Sequence, residues 1–563
     1  MTIFANGFWI DLCLCLVTIV LSLYSSLYLW YQHSFSYWKS KGVPGPQPSF
    51  PFGNIKQTSL GKCNFGEECR EIYEEWKQHP FVGVYFLFNK ALIINDLDLI
   101  KTFLVKDFSH FSDHGLEFDV KINPLIAALF HLKGKQWKRL RTQMTPIFTS
   151  SQIRRMFETI STCGTEMGKY LDKVAAKGGA IDTKDIMSKF ASDVIISTGF
   201  GVDSNSFNSS SPFVEYSRVG RLIFEPTLKQ KIIQTCSFFV PSLVKGLRGR
   251  MLSKEITDFF FENIKKTVKF REENNLERKD LMQLLIRLKN NQSIENLDDG
   301  DGKIIYKYVG KPINIILIRF NFFSRHSCLA LAKKIPLVSF AKDRGPTLTL
   351  DELCAQAFGF YIAAYETTSS TLTYLLYHVA RNPEVQERLH RELDQVFQEY
   401  PGEVRYESMM KLTYMMQVIN EGLRLNPVFP TMFRLCTKRY VIPGTGVVIE
   451  KGTPVIIPVF GIQRDPAFYP DPEKFDPDRF SAENLSARRP YSFLTFGEGP
   501  RVCIGKTKML VDFYCIVVLL SEVINNCLLM PNILVKNSLS LSLNFFYPVF
   551  CVLLNYTNNF SPT

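Results

Sequence analysis

The chain has 563 residues, 46% of them hydrophobic and 13% aromatic, which is enough to bury a large core and excludes a disordered protein. Its 13 cysteines form no CxxC pair and are odd in number, so neither a zinc module nor a disulfide framework is expected, and a reducing compartment fits most of the chain. The net charge of +12 does not describe a nucleic-acid-binding face, because Lys303, Lys307, Lys311, Arg319, Arg325, Lys333, Lys334 and Lys342 supply most of the excess from one acid-free window.

From the N-terminus, Leu12 to Tyr31 is an uncharged run of about the 20 residues that a spanning helix needs. Trp30 and Tyr31 stand at its end, where aromatic belts lie; Asp11 is the only charge before it, and Lys39 and Lys41 follow. Residues 1–33 therefore read as a membrane anchor with the N-terminus outside and the body in the cytoplasm, since a cleaved signal peptide would carry its basic residues first. Residues 34–48 end in GVPGPQP, whose prolines fix φ and lack an N–H, which predicts an extended hinge between anchor and body. Apolar residues then recur every three or four positions over 150–175, 253–290, 350–379, 383–399 and 408–425, predicting long helices. Strand-like runs are short: Val82–Ile94, Val441–Ile449 and Pro454–Pro458. The expected body, 49–515, is mainly α with small peripheral β-sheets. Two stretches break the pattern. The basic insert at about 301–345 has no clean period, and in the atypical tail, 516–563, prolines and asparagines spoil a second span, while alternating Leu539, Leu541 and Leu543 predict a strand.

Chemistry concentrates in a few motifs. Trp137 and Arg141 lie one helical turn apart, so indole N–H and guanidinium reach one partner. In Ala363-Ala364-Tyr365-Glu366-Thr367-Thr368, the Thr367 hydroxyl can bond the i−4 carbonyl and open a slot in the helix, and Glu366 is an acid able to relay protons. Glu421 and Arg424 share a helix face among apolar neighbours, which favours a buried ion pair. Last comes Phe496-Gly-Glu-Gly-Pro-Arg501-Val-Cys503-Ile-Gly505, a loop suited to a thiolate ligand on the iron of a flat ring. The metal's charge deprotonates the cysteine, and thiolate ligation favours O–O cleavage. Gly497, Gly499 and Gly505 let the backbone turn and approach closely, Arg501 is placed for a ring propionate, and Phe496 shields the sulfur. Main-chain N–H groups after Cys503 are expected to point at the sulfur and tune it.

These motifs, in this order, resemble the cytochrome P-450 family of haem-thiolate monooxygenases. The resemblance covers roughly 35–300 and 346–510, and FSDHGLEFD, LKGKQWKRLRTQMTPIFTSSQ, RVGRLIFEP and IQRDPAFYPDPEKFDPDRF are similar to the insect microsomal branch associated with xenobiotic metabolism. It implies the cytochrome P-450 fold with an N-terminal transmembrane anchor helix, and haem b (iron protoporphyrin IX) with Cys503 as axial ligand. By the same resemblance Trp137, Arg141 and Arg434 reach the haem propionates, Arg479 completes a buried triad with Glu421 and Arg424, and Glu366 and Thr367 activate O2. The implied activity inserts one oxygen atom from O2 into hydrophobic small molecules. Electrons would come from NADPH through NADPH-cytochrome P-450 reductase, with cytochrome b5 as a second donor. The implied place is the endoplasmic reticulum membrane, with the catalytic domain on the cytoplasmic face. Phe108, Phe111, Phe118, Phe224, Phe238 and Phe239 are expected to line an apolar pocket, and Lys133, Lys135, Lys138 and Arg139 to meet an acidic reductase surface.

The chain also departs from the family. Ala364 stands where glycine is usual and Thr495 where a proline precedes the loop; the 303–342 insert has no counterpart, and KTKMLVDFYCIVVLL after Gly505 is atypical. Two other functions share the cysteine loop: a haem-thiolate peroxide isomerase that needs no external electrons, and a non-catalytic haem-binding or defective splice product.

Overall fold

The structure is a computed structural model that describes residues 2–292, 347–400 and 406–512, apart from short breaks at 117, 177–181, 203, 209–213, 225–226, 240–243, 245 and 247. The insert expected at 301–345 and the tail expected at 516–563, with its Leu539–Leu543 strand, lie outside the described residues.

Helices dominate, as expected. α1 (Thr2–Phe35) carries the apolar run, and Leu14, Val20, Leu23 and Leu29 on it are exposed, as suits a helix facing lipid. Leu14–Ser40 is long and apolar enough to cross a membrane. The far end of α1 is packed: Tyr24, Tyr28 and Tyr31 set their rings edge-on to Phe50 at 5.7, 5.6 and 4.9 Å. The stretch expected to be an extended hinge is attached as well. Tyr37–Ser40 forms a helical turn that buries Trp38, whose indole N–H donates to Val84 O at 3.2 Å, and Gly83 N donates to Pro44 O at 2.8 Å. The prolines exclude a longer helix, but burial of Trp38 draws the connector onto the body.

Among the helices that precede the centre of the fold are α2 (Phe65–Trp76), α3 (Gly134–Met144), α4 (Ser150–Ala175), α5 (Thr183–Ile195) and α6 (Val214–Phe224). The periodic run 253–290 is two helices, α7 (Lys254–Glu273) and α8 (Leu281–Lys289). The break falls where Asn275 takes φ 51° and Asp280 caps α8 by accepting from Gln283 N. α9 (Leu350–Arg381) runs through the core, started by a capping box in which Thr349 and Glu352 satisfy each other's backbone N–H groups. α10 (Pro383–Glu399) and α11 (Thr413–Leu425) follow, the latter preceded by a separate turn at Tyr406–Met409.

The expected strand Val82–Ile94 is a hairpin, β1 (Phe81–Phe86) and β2 (Asn89–Ile94), turned at Leu87 with φ 54°. β2 pairs in parallel with β6 (Pro454–Ile457), and β6 pairs antiparallel with β3 (Met432–Leu435), giving one four-stranded sheet. β4 (Tyr440–Val441) and β5 (Val448–Ile449) form a second small hairpin. The largest apolar core joins α4, α5, α7, α9 and α11 and includes Phe190, Phe260, Phe358, Tyr361, Ile419 and Leu423.

Candidate active site

The cysteine loop begins where Phe496 O accepts from Cys503 N at 2.9 Å, closing the turn on itself. Gly497 and Gly499 both have positive φ, 71° and 77°, and a Cβ on Gly499 would lie 2.1 Å from Leu104 O, so no other residue fits there. A Cβ on Gly505 would meet no protein atom within 4 Å, which leaves that face of the loop open. Cys503 is exposed, yet its thiol is pushed up chiefly by burial, so the sulfur is accessible while protein surrounds it closely. The N–H groups of Gly505 and Lys506 and the charges of Arg141 and Lys506 pull the other way and favour the thiolate. The main-chain donors expected behind the sulfur are therefore present.

Beneath the loop the expected ion lock is fully formed. Arg424 Nε and Nη2 donate to the two carboxylate oxygens of Glu421 at 2.7 Å each, and both side chains are completely buried. Arg479 Nε lies 3.5 Å from Glu421 Oε1, and Asp476 N donates to the same oxygen at 2.9 Å. Arg424 also donates to Gln463 O and Lys474 O, so the Glu421–Arg424 pair is fully partnered, whereas the buried Arg479 Nε faces Glu421 without a hydrogen bond.

Beside the loop sits a cluster of cations. Arg434 and Arg501 are lowered by burial to about 10 and about 9, and Arg141 is lowered as well. One acid faces them, Asp113, with Oδ1 at 3.7 Å from Arg501 Nη2. The three arginines are not equivalent. Arg501 acts as a clamp on the chain itself: it donates to Ser112 O at 2.8 Å, Leu132 O at 2.6 Å, and Leu129 O and Phe130 O at 3.4 and 3.3 Å. Its guanidinium also stacks over Trp137 at 4.2 Å. Arg434 donates to Phe433 O at 2.8 Å and leaves its buried Nε without a partner. Among the described residues no protein acceptor meets Arg141 or the Trp137 indole. Buried donors that lack acceptors are costly, and cations gathered this way call for an anion. The residues present fit a haem: Arg141, Arg434 and Trp137 would be available to its two carboxylates, and Cys503, whose backbone donors favour the thiolate, to its iron.

On α9 the Thr367 hydroxyl donates to Ala363 O at 2.5 Å, the i−4 bond expected from the sequence, on a stretch where Ala363 is exposed to the interior. Glu366 points elsewhere, as neighbouring positions on a helix do. Its carboxylate accepts from Lys184 Nζ at 2.9 Å and Ser370 Oγ at 2.8 Å, and Lys184 Nζ also meets Ser369 Oγ and Ser370 Oγ at 3.0 and 2.8 Å. Burial lowers Lys184 and the Glu366 charge partly restores it. Ala364 is half-buried against the main core. The close approach on this helix belongs to Gly359, where a Cβ would lie 2.5 Å from Ala128 Cβ.

Other expectations fare unevenly. Phe111 is core, not pocket: it is fully buried and stacked on Phe103 at 4.4 Å. Phe108 packs on Trp137 at 5.5 Å, Phe118 on His131 at 5.7 Å and Phe224 on Tyr365 at 5.4 Å, while the side chains of Phe238 and Phe239 lie outside the described residues. Arg139 is committed to an ion pair with Glu352, whereas Lys135 and Lys138 are exposed. Sequence reasoning missed Lys184, Gln356 and Gln463. Gln356 on α9 accepts from Leu129 N at 2.8 Å and donates to Ala127 O at 3.2 Å, gripping the same segment that Arg501 holds. No local signal marks these three, because each acts on residues far away in the chain.

A cysteine loop over a buried ion lock, flanked by cations awaiting an anion and a long helix with a notched threonine, defines a haem-thiolate oxygenase. The sequence matches the Cytochrome P450 family over residues 43–304 and 326–509, and the chain belongs to that family. It is 35% identical over 498 residues to a probable cytochrome P450 6a14 of Drosophila melanogaster, covering 87% of this chain and 89% of that protein. Against cytochrome P450 6k1 of Blattella germanica it is 37% identical over 494 residues, covering 88% and 87%. Cytochrome P450 6A1 of Musca domestica is 33% identical over 491 residues, covering 86% and 87%. The protein is thus a monooxygenase of the oxidoreductase class, of the insect branch to which these relatives belong, and its family implies haem with a cysteine thiolate ligand.

Proposed function

We propose that this chain oxidises hydrophobic small molecules at a haem b held by Cys503, anchored by α1 in the endoplasmic reticulum membrane with its body, from the 34–48 connector to about 515, on the cytoplasmic face. Electrons would come from NADPH through its reductase, with cytochrome b5 as a second donor. The observation that carries the reading is Cys503 itself: an accessible thiol closely surrounded by protein, with two main-chain N–H groups behind it and Arg141 beside it. Bound haem would supply dioxygen binding and activation. This chain's residues do the rest. Arg141, Trp137 and Arg434 would hold the carboxylates, Arg501 clamps the loop to residues 112–132, and Gly497 and Gly505 leave room for close approach, while Phe496 closes the loop beneath the sulfur. Thr367 holds a hydroxyl proton over the Ala363 carbonyl, and Glu366, resting on Lys184 and Ser370, would have to turn from them to deliver a proton toward Thr367.

The reduced protein with carbon monoxide should show the red-shifted absorption of a thiolate-ligated haem. Cys503→Ser should abolish that band while leaving the fold intact by circular dichroism; a variant that kept the band would overturn the assignment. Product formation that depends on NADPH and reductase separates a monooxygenase from an isomerase, which would turn over fully on a hydroperoxide alone.

A further inference from the structure

Helix α11 ends at Leu425, and its last carbonyls have no further helical turn to receive them. Side chains from two distant segments take them up. Gln463 Nε2 donates to Leu423 O at 3.3 Å and Arg424 O at 3.0 Å, and Arg464 Nη2 donates to Leu425 O at 2.7 Å. Thr495 Oγ1 lies 3.1 Å from Leu423 O. The completely buried Gln463 also turns its oxygen toward the cysteine loop, where Leu494 N donates to Oε1 at 2.8 Å and Thr495 Oγ1 lies 3.1 Å from it. Two carbonyls on one side and an N–H on the other fix which end of the amide faces which way. Gln463 thus stands between the lock helix and the loop, its own carbonyl held by Arg424 Nη1 at 2.8 Å.

We propose that Thr495 and Gln463 form a latch that registers the Cys503 loop on the end of α11, with Thr495 as a positioning residue. Where the family sets the entry to this loop with a proline, which restrains the chain through φ, this chain restrains it through a hydroxyl bond to the helix that carries the ion lock. The latch transmits the placement of Glu421 and Arg424 to the loop eight residues before its sulfur. Its bearing on haem rests on the haem-thiolate reading; its geometry does not.

The test uses the full chain and two variants: Thr495→Val, which keeps the shape and removes the hydroxyl, and Thr495→Ser, which keeps the hydroxyl. Hydrogen exchange at the Leu494 amide, followed without haem, should quicken about tenfold in the valine variant, the factor one such bond carries, and stay near wild type in the serine variant. With haem loaded, its transfer to a scavenging globin should quicken by a similar factor in valine and not in serine. Gln463→Met severs the latch from the other side and should also expose Leu494, which keeps the test usable if the valine variant does not fold. Unchanged Leu494 exchange in Thr495→Val or Gln463→Met overturns the latch. A wild-type protein with no thiolate carbon monoxide band, but with Leu494 exchange that responds to Thr495→Val, would sink the haem-thiolate reading and leave the latch standing.

Discussion

The cysteine loop and the facing stretch of α9 are built on opposite rules, although Arg501 and Gln356 tie both to the segment Ala127–Leu132. Around the loop, buried cations and amides hold main-chain carbonyls: Arg501 takes four, Arg424 two and Gln463 two. On α9 a single lysine, its side chain 23% exposed, holds a carboxylate and the hydroxyls of the buried Ser369 and Ser370. The first arrangement is costly to disturb and fixes a position. The second rests on one flexible side chain and is cheaper to rearrange.

Removing a partner from the lock should show the contrast most strongly. Arg424→Ala leaves Glu421 buried and uncompensated, so urea unfolding should report a loss of about 3–5 kcal/mol, or no folded protein at 37 °C. A loss under 1 kcal/mol would mean that the loop side is no more rigid than α9.

Acid should attack the same side next. His131 is lowered by burial to about 4, and His114, facing Arg434 and Arg501, is held well below its usual range. In the folded state both rings stay neutral, while the unfolded chain takes up protons below about pH 6.5. Stability is therefore intact above that pH and falls as pH drops toward 4, by about 1.4 kcal/mol per unit per histidine. Thermal unfolding across that range checks it, and His131→Gln should flatten the slope; a slope that His131→Gln leaves unchanged would assign the acid sensitivity elsewhere.

The α9 side should respond least. Lys184→Met strands Glu366 in a half-buried site and should cost about 1–3 kcal/mol at pH 8. Urea unfolding of the variant beside wild type checks it, and a deficit under about 0.5 kcal/mol would show that Lys184 does little to hold Glu366.

Much of the loop side was legible because its residues are close in sequence or carry uncommon patterns. The spacing of Glu421 and Arg424 places them on one helix face, and the glycines flanking Cys503 announce a turn that only glycine makes. The Thr367 bond to Ala363 follows from helical geometry alone, one turn apart. Other contacts were not legible, because a residue's partner lies far along the chain. The loop sequence does not show that folding brings four carbonyls between Ser112 and Leu132 within reach of Arg501. Phe111 reads as pocket lining until Phe103 stacks on it. The proline-rich connector does not reveal that β1 offers Trp38 a place to bury.

By itself, then, the sequence determined the apolar span, the helical character of the body, the thiolate loop and the acid and base that lock it, because periodicity, proline and glycine stereochemistry and short-range charge spacing act within a few residues. Tertiary structure decided which cation clamps and which is left for an anion, that Glu366 rests on Lys184, and that Thr495 meets Gln463. Those choices depend on which distant groups share a desolvated site, where each donor must find an acceptor, and nothing local in the chain records that.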